Sequence, residues 1–520
     1  VLPRRPLAAF LVVLALVSTF GCHRARKEPA TLIYLNGQDI RGLDPHTTGL
    51  SWQTHSVFAN IYESLAGFDK AHALVPALAV SWKNVDDLTW EFKIRENVSY
   101  HCGGVLDAKD VVFSIERART HPKSYLRSYL SNVIQVEVLA GNRVRLRTRH
   151  PDGFLLPRLR SVFVAPRTFL EELDNGQPVV RACGTGPYAL VRWRPDEAVD
   201  LEAFPGYWGP KPPVTKGLFL VSSYGEDVAR YLVPGSKLTF FLRPTSPFYA
   251  KAMAEARPHK ALTLSVTMLA FDLRPEAKAA SSSKGTEPGN PLLDPRVREA
   301  IARAIDYKKL RDRLGLSDRS AASQFVPPQV FGFDPSLEAL EPDPAVARRL
   351  LAEAVPGGLS VNLVVRPAMT EFAVPVAEDL KAAGILVKMV YPEEDSLKGL
   401  SEHDSGPTMH LIRHSCRTGD AQEFFERWLH SKVPETGYGR SNVGYDVSPL
   451  PGLDEEIEEA GKELNPLVRQ RLMQKVMREA VASFIAIPLL NDEEILFLPD
   501  GVTWEPRADS LRLLAEARVD

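Results

Sequence analysis

His410, His414 and Cys416 fall close together in the last quarter of the chain, with His403 just upstream. Imidazole and thiolate are the ligand types that zinc and related metals take. Met409 to Ile412 look like strand, and strand alternation puts 410, 414 and 416 on one face. That geometry is compatible with a metal without requiring one; solvated or core histidines are the plainer reading, and no metal set is assigned. Gly184-Thr185-Gly186-Pro187-Tyr188-Ala189 has the G-x-G-x-x-G/A spacing of a dinucleotide fingerprint. The fingerprint works where a strand ends and a helix begins, because the helix N-terminus holds the pyrophosphate. The residues from Tyr188 onward alternate like a strand, so these glycines read as a structural turn. The serine hydrolase elbow, the zinc-protease H-E-x-x-H and the P-loop are absent. Acidic pairs such as Glu393-Glu394 and Glu455-Glu456 read as solvated faces. No catalytic constellation emerges, so the chain reads as a protein without enzymatic activity and without a cofactor.

The elements that must position any site are set by local signals. Thr31 to Leu35 is strand-like and runs into the Asn36-Gly37 turn and the Leu43-Asp44-Pro45 loop. A helix is expected over Val57 to Leu65, stopped at Gly67. Leu88, Trp90, Phe92 and Ile94 alternate with polar residues as a half-buried strand, with Trp82 on its hairpin partner. Asp107 caps a helix whose buried side is Val111, Ile115 and Ala118, with Arg117 and Arg119 at its negative end. Residues 134 to 148 read as two strands joined at Gly141-Asn142, and Tyr188 to Arg194 with Val199 to Phe204 as a hairpin. Ala277 to Asn290, rich in Ala, Ser, Lys and Gly, reads as a flexible insertion.

Asp294-Pro295, Asp343-Pro344 and Asn465-Pro466 each place a cap before a proline and open helices. The last of these feeds a strand over Ile485 to Leu490. Leu359 to Val365, Glu371 to Ala383 and Ile385 to Tyr391 form a strand–helix–strand unit stopped at Gly384, which requires parallel strands.

The chain has 520 residues, more than one core usually organises, so two or three domains are expected. Its 63 basic and 65 acidic residues leave no footprint for nucleic acid, and 44% hydrophobic content supports real cores. Arg4 and Arg5 precede an apolar run, Leu7 to Phe20, and Gly21-Cys22 come next, the layout of a secretory signal. The run is too short to span a bilayer, which takes ~20 apolar residues. It is similar to a bacterial lipoprotein signal, with Thr19 where a leucine usually stands. Residues 1–21 are then a signal peptide, Cys22 carries the lipid and 22–29 form a tether; ordinary cleavage nearby and a retained anchor are the other readings. Cys102, Cys183 and Cys416 remain, an odd number, so at least one thiol is free unless it pairs between chains. A Cys102–Cys183 disulfide is one option that sequence leaves open.

Several stretches, in order, resemble one family, the extracellular solute-binding proteins family 5. They are Leu43-Asp-Pro45, Val57-Phe-Ala-Asn-Ile-Tyr-Glu-Ser-Leu65, Leu78-Ala-Val-Ser-Trp82, Leu88-Thr-Trp-Glu-Phe-Lys-Ile-Arg95 and Asp107-Ala-Lys-Asp-Val-Val-Phe-Ser114. Gly184-Thr-Gly-Pro-Tyr188, Asp294-Pro-Arg-Val-Arg-Glu-Ala300, Ala304-Ile-Asp306 and Ile487-Pro-Leu489 continue the series. Such proteins serve ABC importers for peptides, nickel complexes and related solutes.

The resemblance implies an α/β, two-lobed periplasmic-binding-protein-like fold with an additional small α+β domain. Lobe I would be discontinuous (30–58, 182–266 and 487–520), the inserted α+β domain would take 59–181, and lobe II 267–486. It also implies a monomer, lipid-anchored in the periplasm or on the outer face of the cell membrane, that captures a peptide or peptide-like solute and passes it to ABC permease subunits. A hydrolase, and a structural or signalling lipoprotein that has kept the fold, are the alternatives.

Peptide-binding members carry W-x-x-D-Y-x-x-P in the second lobe, where the aspartate holds the peptide ammonium. Counting back from Phe424, the tract here is His414-Ser415-Cys416-Arg417-Thr418-Gly419-Asp420-Ala421, with Arg417 at the aspartate position. A guanidinium repels an ammonium, so Arg417, with Arg413, is expected to meet a ligand carboxylate or phosphate instead. A register slipped by three residues would make Asp420 the anchor, and a third reading uses neither. Asn36 is expected to face the tract from lobe I, with Met268 and Phe271 as wall residues.

Overall fold

The structure, a computed structural model, describes residues 31–49, 51–70, 72–176, 181–221, 238–241, 246, 249–275, 289–392 and 406–520. The signal segment, Cys22 with its tether, His403 and nearly all of the Ala277–Asn290 insertion lie outside the described residues.

Ten strands form one mixed sheet: β1 (Thr31–Leu35), β2 (Tyr188–Arg194), β3 (Ala198–Ala203), β4 (Lys216–Leu220), β5 (Leu238–Phe241), β6 (Arg257–Phe271), β7 (Leu359–Val365), β8 (Ile385–Val390), β9 (Thr408–Ser415) and β10 (Ala486–Leu498). Their spatial order is β8-β7-β9-β6-β10-β5-β1-β4-β3-β2. Two apolar cores flank this sheet. One gathers Ile301, Val364, Leu411, Phe424, Met473 and Ile487; the other gathers Leu32, Phe58, Phe92, Phe163, Phe219 and Trp504. They mark the two lobes; β10 contributes to both, Ile487 and Leu490 to one and Leu496 and Leu498 to the other, and β6 is paired with it along its length.

Those two strands change register where they pass from lobe to lobe. Leu262 pairs with Glu493 and Val266 with Asn491, so Thr263, Leu264 and Ser265 stand against Asp492 alone. Such a bulge bends the strands. The displaced backbone of Leu264 bonds elsewhere, its N–H to Ala508 O at 2.7 Å and its carbonyl to Cys416 N at 2.8 Å. The sequence placed the last strand at Ile485–Leu490. It instead continues to Leu498 through Asp492, Glu493 and Glu494, each of which is held at the bend by at least one protein donor.

The α+β portion is a four-stranded antiparallel sheet, Ala79–Asp86, Thr89–Ile94, Arg143–Thr148 and Val133–Leu139 in that order, covered by the helix Ala108–Thr120. Asp107 closes a capping box with Asp110, as its spacing predicts. Its core is continuous with that of lobe I. One expectation here is corrected. The early helix runs Trp52–Ile61 rather than Val57–Leu65: Ser51 caps it by accepting Thr54 N, and past Tyr62 the chain turns extended so that Glu63 pairs with Val164. Arg117 and Arg119 fall in the last turn of their helix as expected, and Arg117 is in addition buried between Asp44 and Asp174, at 2.8 and 2.6 Å.

The strand–helix–strand unit forms as read, with β7 and β8 parallel around the helix Thr370–Ala382. The three proline-led helices begin at Pro295, Pro344 and Pro466. Cys102 and Cys183 form a disulfide with Cα atoms 5.5 Å apart, which leaves Cys416 as the free thiol among the described residues. The glycines of the fingerprint-like turn pack against helix backbone. A Cβ on Gly184 would collide with Ile61 O and one on Gly186 with Asn60 O, so close approach, and not phosphate binding, requires glycine there.

Candidate functional site

β9 lies between β6 and β7 and delivers the tract after Arg413 to the bend in β6 and β10. At that point the lobes enclose a cavity of about 440 Å³. Lobe II contributes Arg413, His414, Ser415 and Arg417, then Glu423, Arg427 and Trp428 from the next helical turn. The crossing strands supply Thr263, Ser265 and Asp492 to Glu494, and lobe I supplies Trp52, Tyr129 and Asp509.

Charge dominates the wall, and most of it is internally matched. Glu423 accepts the Thr418 hydroxyl at 2.9 Å and N–H at 3.1 Å, the Tyr129 hydroxyl at 3.0 Å and Arg427 Nη1 at 3.1 Å. Burial raises its pKa, but Arg427, His414 and the Thr418 donors outweigh that and hold it below the usual glutamate value. Asp492 accepts the Thr267 hydroxyl at 2.8 Å and pairs with Arg413 Nε at 2.5 Å. Burial also lowers the pKa of Arg417, with Glu423 and Tyr129 opposing.

Trp428 Nε1 donates to His414 Nδ1 at 2.8 Å. Indole nitrogen only donates, so the neutral ring carries its proton on Nε2, which faces Cys416 Sγ at 3.3 Å. Burial, aided by Arg427 and Arg417, drives the His414 pKa down to about 3, and burial pushes the Cys416 thiol well up. The pair is therefore neutral imidazole and neutral thiol, poorly suited to nucleophilic attack. Among the described residues no three His, Cys, Asp or Glu side chains are grouped to hold a metal ion.

Of the residues expected from sequence, Arg413, His414, Ser415 and Arg417 meet on the wall. The others do not. Cys416 is buried behind His414. Asn36 is buried at the end of β1, donating to Gln38 O at 3.0 Å. Met268 and Phe271 face the lobe II core, leaving Thr263 and Ser265 at the bulge as β6's wall residues. Asp420 is clamped by Arg469 at 2.6 and 2.9 Å and accepts Gln422 N–H, so its acceptor capacity is spent inside lobe II.

Sequence reasoning missed Tyr129, Glu423, Arg427 and Asp509, which lie far apart in the chain. It also missed Asp492 to Glu494, for which a signal existed: three acids interrupting an otherwise apolar strand are costly unless paired or functional.

Lobe I closes on lobe II through direct bonds. Arg158 holds Asp152 of its own segment at 2.7 Å and Glu426 of lobe II at 2.6 Å. Gly153 N–H donates to Gly461 O at 2.9 Å, Arg160 donates to the Arg417 carbonyl, and Arg440 donates to the Ser128 hydroxyl. The arrangement is a closed clamshell with a polar chamber at its hinge.

The comparisons with known proteins agree with this geometry. The model for "Bacterial extracellular solute-binding proteins, family 5 Middle" matches residues 73–435, well over half of the chain. Di/tripeptide-binding protein 2 of Pseudomonas aeruginosa (strain UCBPP-PA14) is 26% identical over 487 residues, 85% of this chain and 87% of its own length. Among solved structures, the periplasmic binding protein DppA from Helicobacter pylori with peptide STSA superimposes with a TM-score of 0.75 at 20% identity, covering 94% of this chain and 98% of that one. MoaA from A.tumefacien R10 with mannopinic acid gives 0.72 at 22% identity, covering 95% and 100%. The chain belongs to the bacterial extracellular solute-binding proteins, family 5.

Proposed function

We propose that this chain is the extracytoplasmic capture subunit of an ABC importer, and that it takes a peptide or peptide-like small solute into the chamber between its lobes. The observation that carries this is the chamber of about 440 Å³ at the bend of the two crossing strands, walled by both lobes. Pockets that hold small solutes run from about 300 to 1,000 Å³. The related protein from P. aeruginosa is named for di- and tripeptides, and the superimposed structures hold a peptide and mannopinic acid. A neutral His414 beside a protonated Cys416 favours binding over turnover.

In this reading Arg417 meets an anionic group of the solute, while Arg413 stays engaged with Asp492. Cys22 carries the lipid that keeps a monomer near the permease subunits. Native mass spectrometry of protein purified from its own envelope tests the capture role by weighing the solute it carries. Thermal shift across peptides, amino acids, sugars and metal complexes is the companion measurement, since a ligand of the folded state raises Tm. Silence in both refutes capture and leaves a structural or signalling lipoprotein; hydrolysis of a bound solute over hours indicates an enzyme. Arg417→Ala with unchanged affinity removes the arginine assignment, and Cys22→Ala protein that still partitions with membranes removes the lipid.

A further inference from the structure

Among the described residues, acids and guanidiniums are matched in number on the chamber wall, and they are segregated. The guanidiniums, Arg413, Arg417 and Arg427 among them, all belong to lobe II, whereas every acid but Glu423 stands on the bend of β10 or on lobe I.

The acids differ in what is left of them. Glu423 has both oxygens bonded, Oε1 to Tyr129 and Arg427 and Oε2 to Thr418. Asp509 is closed by Arg160, Arg507 and Leu511 N–H, and Glu493 by the N–H and hydroxyl of Ser317. Asp492 and Glu494 are each hydrogen-bonded through one oxygen alone. Asp492 Oδ1 accepts the Thr267 hydroxyl at 2.8 Å, while Oδ2 touches Arg413 Nε at 2.5 Å without a donor aimed at it. Glu494 Oε1 takes Arg512 Nη2, and Oε2 has no hydrogen-bond partner. Arg512 makes no second bond to it, its Nε and Nη1 lying unbonded over the Tyr34 ring, whose centroid is 5.3 Å from the guanidinium carbon. Asp492 and Glu494 are 5% and 6% exposed.

Buried carboxylate oxygens without donors are costly, and two of them on one chamber wall mark a place where a ligand completes the bonding. Residues two apart on a strand share a face, which puts Asp492 and Glu494 on the same side while Glu493 between them turns to Ser317. A protonated amine supplies three donors and no acceptor, so it can serve both oxygens at once. Lobe II offers it no equivalent: Glu423 is fully bonded, and Asp420 is clamped by Arg469.

We propose that Asp492 and Glu494 seat a protonated amine of the solute, so that the solute is a zwitterion lying with its amine at the bend of the crossing strands and its acid toward the guanidiniums of lobe II. This rests on the capture reading above.

The test offers randomised dipeptide pools, free and N-acetylated, to the ligand-free mature protein and reads them by native mass spectrometry. The sequence held most tightly is then measured in both forms by calorimetry. N-acetylation is expected to weaken binding by about 10- to 150-fold, the range for one hydrogen bond to a charged group. Asp492→Asn and Glu494→Gln keep the shape of each side chain and remove its charge, and each should cut that ratio by about five- to tenfold. A crystal structure of the unmodified protein with the free form, which does not depend on how either variant folds, should show the amine within hydrogen-bond reach of both carboxylates. An N-acetyl form bound within about threefold of the free form, or an amine placed on Glu423 or any other group, overturns the proposal and leaves capture intact. An amine preference that survives unchanged in both folded variants overturns it as well. Failure of both pools to bind overturns capture of a peptide-like solute, and the proposal with it.

Discussion

Arg158→Ala should separate the stability of the protein from the closure of its lobes. Arg158 is 8% exposed and makes two pairs of bonds: Nη1 to both Asp152 oxygens at 2.9 and 2.7 Å, and Nη2 to both Glu426 oxygens at 2.6 and 2.7 Å. Burial by itself would lower its pKa, but Asp152 and Glu426 reverse that, so the guanidinium is a firmly held cation. Removing one member of a buried ion pair costs about 3–5 kcal/mol, because the partner is left uncompensated. The Asp152 half of that loss is independent of lobe position, since Asp152 is six residues away in the same segment. The Glu426 half exists only when the lobes meet, and charged hydrogen bonds of this kind are worth about 1.5–3 kcal/mol. Arg158→Ala should therefore lower unfolding free energy in urea by about 3–5 kcal/mol. Glu426→Gln, which keeps an acceptor but no charge, should move mainly the lobe equilibrium, toward open by up to about 10- to 150-fold. An interlobe distance distribution from spin labels on the unliganded protein reads the second effect without knowledge of the solute. If Glu426→Gln leaves that distribution closed and Arg158→Ala costs no more than about 1 kcal/mol, as an exposed pair would, the seam is not a latch.

Three further outcomes are expected. Glu63 accepts Thr185, Trp208 and Tyr207 donors at 2.8, 2.8 and 3.2 Å, yet burial outweighs them and Arg95, raising its pKa to about 7. A raised folded-state pKa means stability that is full below the unfolded value near 4.5 and lost as pH rises through about 7, a loss of up to about 3 kcal/mol that solvent screening at this half-buried residue reduces. Glu63→Gln can keep all three contacts by donating to the Tyr207 hydroxyl, so urea midpoints should coincide near pH 5 and favour the variant at pH 8; parallel pH profiles would sink this. Replacing Cys102 and Cys183 by serine opens a closure of 81 residues, and the chain-entropy relation gives a loss of about 4.5 kcal/mol; a Tm within a degree or two of the parent contradicts it. Asp420→Asn should cost about 3–5 kcal/mol of stability through the stranded Arg469 while leaving solute affinity unchanged; loss of solute binding without loss of stability would restore Asp420 as an anchor.

The parts of the fold legible in the sequence are those with local causes. Asp294, Asp343 and Asn465 announce helices because a side-chain acceptor followed by proline satisfies the first turn within a few residues. The β7–helix–β8 unit is legible from another local signal, the helical spacing of Phe372, Val376 and Leu380 ahead of Gly384, which has φ of 92°. The helix at Trp52–Ile61 departs from its expected bounds because its end is fixed from outside, by Glu63 pairing with Val164 about a hundred residues on. The chamber was legible only along one tract. Strand alternation and family spacing bring Arg413 to Arg417 to the wall, but Tyr129, Glu423 and Asp509 converge through packing of separate segments. Met268 and Phe271 were expected on the wall, yet β6 is buried in lobe II there and reaches the chamber only at its bulge, Thr263 and Ser265, and a bulge has no composition signal here.

Recognition and closure share atoms, and that sharing explains how a chamber so rich in charge can report its own occupancy. The Arg417 carbonyl accepts a bond from Arg160, and the same Arg160 pairs with Asp509, so the backbone under Arg417 is fixed by lobe I only when the lobes are together. Glu423 likewise takes one of its bonds from Tyr129 across the cleft. On opening, Glu423 loses a donor and three guanidiniums near it lose part of their low-dielectric surroundings. On the proposed reading, a solute acid that pairs with Arg417 meets a backbone fixed by Arg160 in the closed form and not in the open one. That difference in affinity between the two forms is all a ligand has with which to shift the lobes. An uncharged solute of the same size would fill the chamber without drawing on it, and should leave the lobe equilibrium where the Arg158 seam alone sets it.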